Sequence, residues 1–127
     1  MSSLKEYRHD LAAHLADGLG ATAPPLGKAV HPPAVVVQPG TPYVTGPDYC
    51  TDSILLDATV IAPPGDLPAV ADALDDMIDQ VRSTLKTVSA AGHRYGFREV
   101  SGPTSFVIDD TVSFPAVVVT VEIQRAP

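Results

Sequence analysis

The sequence predicts an α+β fold, a largely antiparallel, mixed sheet of about four strands with two helices packed on one face, in the order α-β-β-α-β-β. Three observations carry that expectation. Two segments, 3–17 and 67–88, repeat apolar residues at helical spacing. Several segments alternate or cluster β-branched residues between Pro- and Gly-rich breaks. Two helices cannot cover such a sheet on both sides, so they belong on one face.

The first helix is expected at 3–17. Ser3 and Glu6 have the spacing of a capping box, and Leu4, Tyr7, Leu11 and Leu15 follow at helical intervals. Gly18 or Gly20 supplies the stop. Residues 20–33, GATAPPLGKAVHPP, carry too much Pro and Gly for a helix and read as a linker or irregular edge segment. A Val-rich strand follows at 34–38. The stretch 39–53, PGTPYVTGPDYCTDS, holds Pro39, Gly40, Pro42, Gly46 and Pro47 and reads as a long loop. Such loops are usually functional or partly disordered, which makes this one a candidate working surface.

ILLDATVIA at 54–62 alternates, with Ile54, Leu56, Ala58, Val60 and Ala62 on one side and Asp57 and Thr59 on the other. Pro63-Pro64-Gly65 breaks it, and Asp66 can cap the second helix with Pro68 in its first turn. That helix carries a stripe of Leu67, Val70, Leu74, Met77, Ile78, Val81, Leu85 and Val88. FREVS at 97–101, a Gly102-Pro103 interruption and TSFVI at 104–108 then form one arm of a β-hairpin. Asp109-Asp110 sits at the turn, and 111–124 forms the longer second arm. In that arm Val117, Val119, Val121 and Ile123 share a face, and Thr120, Glu122 and Gln124 share the other.

The string Pro-Ala-Val-Val-Val occurs at 33–37 and again at 115–119. The flanks do not repeat, so the two copies read as two strand starts of one sheet, each closed off by Pro and carrying β-branched residues that suit packing.

A chain of 127 residues reads as one domain, able to bury roughly two-thirds of its unfolded surface. Its 45% hydrophobic and 18% charged residues fit a globular protein. The net charge of −7 disfavours a phosphate-tracking nucleic-acid binder. Cys50 is the only cysteine, so no intrachain disulfide forms and a reducing compartment is the simpler expectation. The N-terminus has no apolar core of a signal peptide, and nowhere do 18 apolar residues run together. These observations lead us to expect a soluble intracellular domain without membrane contact.

Chemistry-bearing residues give little purchase. His9 and His14 are five apart, which does not set two ligands on one helical face; they and His31 and His93 read as surface histidines. Asp72, Asp75, Asp76 and Asp79 lack the spacing of a calcium loop and read as a solvated helix face. Cys50 has Asp48 and Asp52 nearby, which raise a thiol pKa rather than activate it. There is no phosphate-binding glycine loop and no nucleophile elbow. The expectation is no enzyme, no cofactor and no metal.

The arrangement resembles the tail-terminator (minor tail protein) family of long, non-contractile-tailed bacteriophages. The likeness is carried by the N-terminal helix ending LADGLG, by HPPAVVVQPGTPYV, by the strand running into APPGDLPAVADALDDMIDQV, and by the hairpin ending FPAVVVTVEI. It covers about 10–124. It implies a small α+β subunit that assembles, usually as a hexameric ring, on the last ring of the tail tube. There it stops tube polymerisation and presents the surface for the head's neck proteins. The implied partners are other copies of the chain, the tail tube protein and a head-completion protein. The implied location is the virion, at the head–tail junction, after assembly in the host cytoplasm. The family has no catalytic residues to carry over, and this chain departs from it in the His- and Pro-rich lead-in at 24–33 and in Cys50.

A head-to-tail ring needs two different complementary patches per subunit. The interface candidates are Tyr43, Val44, Asp48 and Tyr49 in the 39–53 loop, and Phe106, Asp109 and Asp110 at the hairpin turn. Deleting 41–51 is expected to spare folding and abolish capping. The rival readings are a head–tail connector of the same particle, or a small ligand-binding or enzymatic α+β domain built around Cys50 and a histidine.

Overall fold

A computed structural model describes residues 3–23, 32–46, 52–90, 95–107 and 113–125, with the backbone alone at 89–90, 104–107, 113 and 125. Its elements are α1 (Leu4–Leu19), β1 (Ala34–Thr45), β2 (Asp52–Ile61), α2 (Leu67–Ala90), β3 (Tyr95–Val107) and β4 (Ser113–Arg125). The four strands form one antiparallel sheet in the order β1-β2-β4-β3. This is the expected α+β class and element order.

Both helices cover the same face. Leu11 and Leu15 of α1 and Leu74, Met77, Val81 and Leu85 of α2 form one cluster with Val35, Val37, Ile54, Leu56, Ala58, Val60, Val117, Val119, Val121 and Ile123. Each large apolar side chain so buried contributes about 1.5–3 kcal/mol. Ser3 caps α1 by accepting from the Glu6 amide at 3.2 Å. Gly20, at φ 61°, ends it in the left-handed conformation while the Ala21 amide donates to the Ala16 carbonyl at 2.9 Å. Gly18 lies inside the helix, where a Cβ would strike the Thr84 hydroxyl of α2. Asp66 caps α2 through the Ala69 amide at 3.3 Å. Asp72, Asp75, Asp76 and Asp79 are exposed.

The expected loop at 39–53 is mostly strand. β1 continues to Thr45 and β2 begins at Asp52; residues 47–51 lie outside the described residues. A bulge reconciles the Pro- and Gly-rich sequence with pairing. Pro39 pairs with Leu56 and Val44 with Ile54, so residues 40–43 stand against Leu55 alone. Gly40 is required there, because a Cβ would come within 2.8 Å of the Leu55 carbonyl oxygen. Pro39 costs no ladder bond. The Val35 amide points away from β2, toward the Thr22 carbonyl at 2.8 Å, so the same side of β1 two and four residues on is the outer edge. The expectation that deleting 41–51 spares folding is therefore corrected: Val44 and Thr45 pair with β2 and Tyr43 packs against the core.

Within 20–33, Thr22 makes a single parallel bridge to Ala34, and 24–31 lie outside the described residues. The Gly102-Pro103 interruption is a second bulge in a continuous β3, between Ser101 and Thr104, with Gly102 at φ 117°. A third singles out Arg98, between Phe97 and Glu99.

The repeated string acquires a geometric meaning. Ala34 and Ala116 both pair with Ile61, Val35 and Val117 with Val60, Val36 and Val118 with Thr59, and Val37 and Val119 with Ala58. The two copies flank β2 in identical register. Pro33 precedes β1 as expected, whereas Pro115 is third in β4, not at its start. The strand passes through it because its missing N–H falls opposite Ala62, one residue beyond the end of β2; its carbonyl still accepts from the Ala62 amide at 2.9 Å.

Candidate docking face

The face of the sheet away from the helices has two regions. At the end where β1 and β4 begin, Ala34, Val36, Ile61 and Ala116 form a small second apolar cluster with Phe114. Toward the other end the face turns polar and concave. A groove of about 370 Å³ is floored by Leu55 and Asp57 of β2 and by Val118 and Thr120 of β4. Its two walls come from bulges of the edge strands: Thr41 and Pro42 on one side, Arg98, Glu99 and Ser101 on the other.

Strand register builds its chemistry. Asp57 pairs with Thr120, and Thr120 with Glu99, which sets two carboxylates on a rung either side of a hydroxyl. Their backbones stand about 10 Å apart, two inter-strand spacings. The Thr120 hydroxyl donates to Asp57 Oδ1 at 3.2 Å. The neighbouring charges are internally compensated: Arg98 donates to Glu122 Oε2 at 2.7 Å, and the Ser53 hydroxyl donates to the same oxygen at 3.0 Å. Among the described residues the groove proper is thus left with the negative charge of Asp57 and Glu99. Among the described residues, no three His, Cys, Asp or Glu side chains converge as metal ligands do, and no helix is long and apolar enough to cross a membrane.

The candidates named from the sequence fall differently. Tyr43 lies in the β1 bulge, half-buried against the core, with its hydroxyl buried and without a hydrogen-bond partner among the described residues. Val44 is 38% exposed on β1. Phe106 pairs with Phe114 across the β3–β4 ladder, its backbone alone described. Asp48, Tyr49, Asp109 and Asp110, with Cys50, His31 and His93, lie outside the described residues. His9 is exposed as expected. His14 is not a simple surface histidine: it is half-buried, edge-on to Tyr95 with ring centres 6.2 Å apart. Burial, then the Asp10 and Tyr7 charges, push the Tyr95 phenol up to about 12.

As a site, the groove residues Thr41, Asp57, Arg98, Glu99 and Thr120 are not legible in the sequence. Half of the signal was legible, since Asp57 falls on the polar side of β2 and Thr120 and Glu122 on that of β4. The bulges that wall the groove and the β2–β4 pairing leave no local trace. No protein-family model matches the chain, and no curated protein matches its sequence.

Proposed function

We propose that this chain is a structural assembly protein, a tail terminator that forms a ring on the end of a phage tail tube. The ring stops tube growth and offers the head-attachment surface; its partners are further copies of the chain, the tube protein and a neck protein. The likeness to that family in α1, the 31–44 segment, the strand into α2 and the final hairpin motivates the reading. The observation that carries it furthest is topological. β1 and β2 are connected at one end of the sheet, and β3 and β4 at the opposite end. The two hairpin connections therefore fall at opposite ends of one small body, which suits a subunit held between a tube and a neck; two different patches are also what a head-to-tail ring uses.

Native mass measurement and negative-stain imaging test the assembly. The expected result is a mass near six subunits, or an annulus, alone or on tube ends. A monomer under every condition, tubes included, contradicts it. A ring that joins heads to tails yet leaves tube length unaltered makes the chain a connector instead.

A further inference from the structure

We infer that the groove on the outer sheet face is the socket of the ring's repeating contact, and that it receives the basic face of α1 from a second copy of this chain, with Lys5 against Glu99. The inference rests on the ring reading above and specifies its interface.

Among the described residues the groove holds Asp57 and Glu99 as its uncompensated charges, since Arg98 is tied to Glu122. A cationic side chain seated over Thr120 lies between both carboxylates, in a concave site that excludes part of the water and strengthens the attraction. This chain carries a matching element. Lys5 and His9, four apart and both exposed, share one edge of α1 with the half-buried Arg8, while Glu6 and Asp10 lie on the neighbouring edge of the same turns. Neither Lys5 nor Arg8 has an ion pair among the described residues. The other described cations are less suited: Arg82 lies 4.7 Å over the Phe97 ring, and Lys86 follows the acidic run Asp72–Asp79 on α2.

The layering makes this contact intermolecular. The groove is on the face opposite the helices, so a subunit cannot place its own α1 in its own groove. Socket on one face and plug on the other is a heterologous contact, which propagates from copy to copy. The exposed Asp72, Asp75, Asp76 and Asp79 of α2 would be repelled by Asp57 and Glu99, which disfavours that face as the plug.

The test is the subunit concentration at half-assembly, measured by light scattering on the full chain. Lys5 and Glu99 are both exposed, so Glu99→Lys and Lys5→Glu are expected to keep the thermal unfolding midpoint. Each alone should raise the half-assembly concentration at least about tenfold by placing like charges together, and added salt should weaken the unsubstituted ring. The chain carrying both substitutions should regain most of the loss. If Glu99→Lys proves unfolded, Glu99→Gln serves, with a smaller loss expected. Unchanged assembly in the single variants would overturn the interface and leave the ring reading standing. Loss without recovery in the double variant would overturn the pairing with α1 and give the groove to another occupant. No annulus from the unsubstituted protein, alone or on tubes, would overturn the ring reading and this interface together.

Discussion

Tyr43 and Tyr95 show how differently two phenols of one chain are treated. Tyr43 has its ring against the core and its buried hydroxyl unpaired among the described residues. A buried donor without a partner keeps its desolvation cost and gains nothing back. Tyr43→Phe should therefore be stabilising, by about 1 kcal/mol, read from the urea midpoint; a loss of stability would show that the hydroxyl has a partner in solution. Tyr95 is buried with its pKa pushed up to about 12 from the ordinary 10.0. Its neutral form is favoured by folding, so the folded chain holds the proton that the unfolded chain releases. Stability from this group is whole below pH 10 and is lost as pH rises from 10 toward about 12. Comparing urea midpoints across that window, Tyr95→Phe should show a shallower decline than the unsubstituted chain.

The strands show what a sequence of this kind discloses and what it hides. Helical stripes and the alternation in 54–62 are local patterns, and they marked α1, α2 and β2 closely because each element buries one face. Pro and Gly at 39–42 predict a loop, because both residues usually end strands. In β1 they make a bulge instead: Pro39 sits on the outer edge, and Gly40 lies where any Cβ would meet the Leu55 backbone. Only the partner strand reveals that. The Pro-Ala-Val-Val-Val repeat was legible as a packing pattern, but not that its two copies flank β2 in the same register. Ala34 and Ala116 stand either side of Ile61, all fully buried. Ala116→Val should therefore overpack this cluster and cost about 1–3 kcal/mol, measured by thermal or urea unfolding. No change would mean that the space beside Ile61 is not filled.

At the scale of the molecule, the antiparallel order places the two strand connections at opposite ends, the helices on one face and an acidic groove on the other. The sequence disclosed the layers, because helix count against strand count forces them. The groove escaped it, because Asp57, Thr120 and Glu99 are far apart in the chain and meet only through strand pairing. The proposed assembly role joins these features to the resemblance noted in the helix, strand and hairpin segments. Its most direct test is the length of tail tubes grown from cognate tube protein with and without this chain, measured in electron micrographs. Tubes are expected to stop growing once the protein is added and to carry a ring at one end. Tubes that continue to lengthen at the same rate, with bare ends, would contradict the assignment as a terminator.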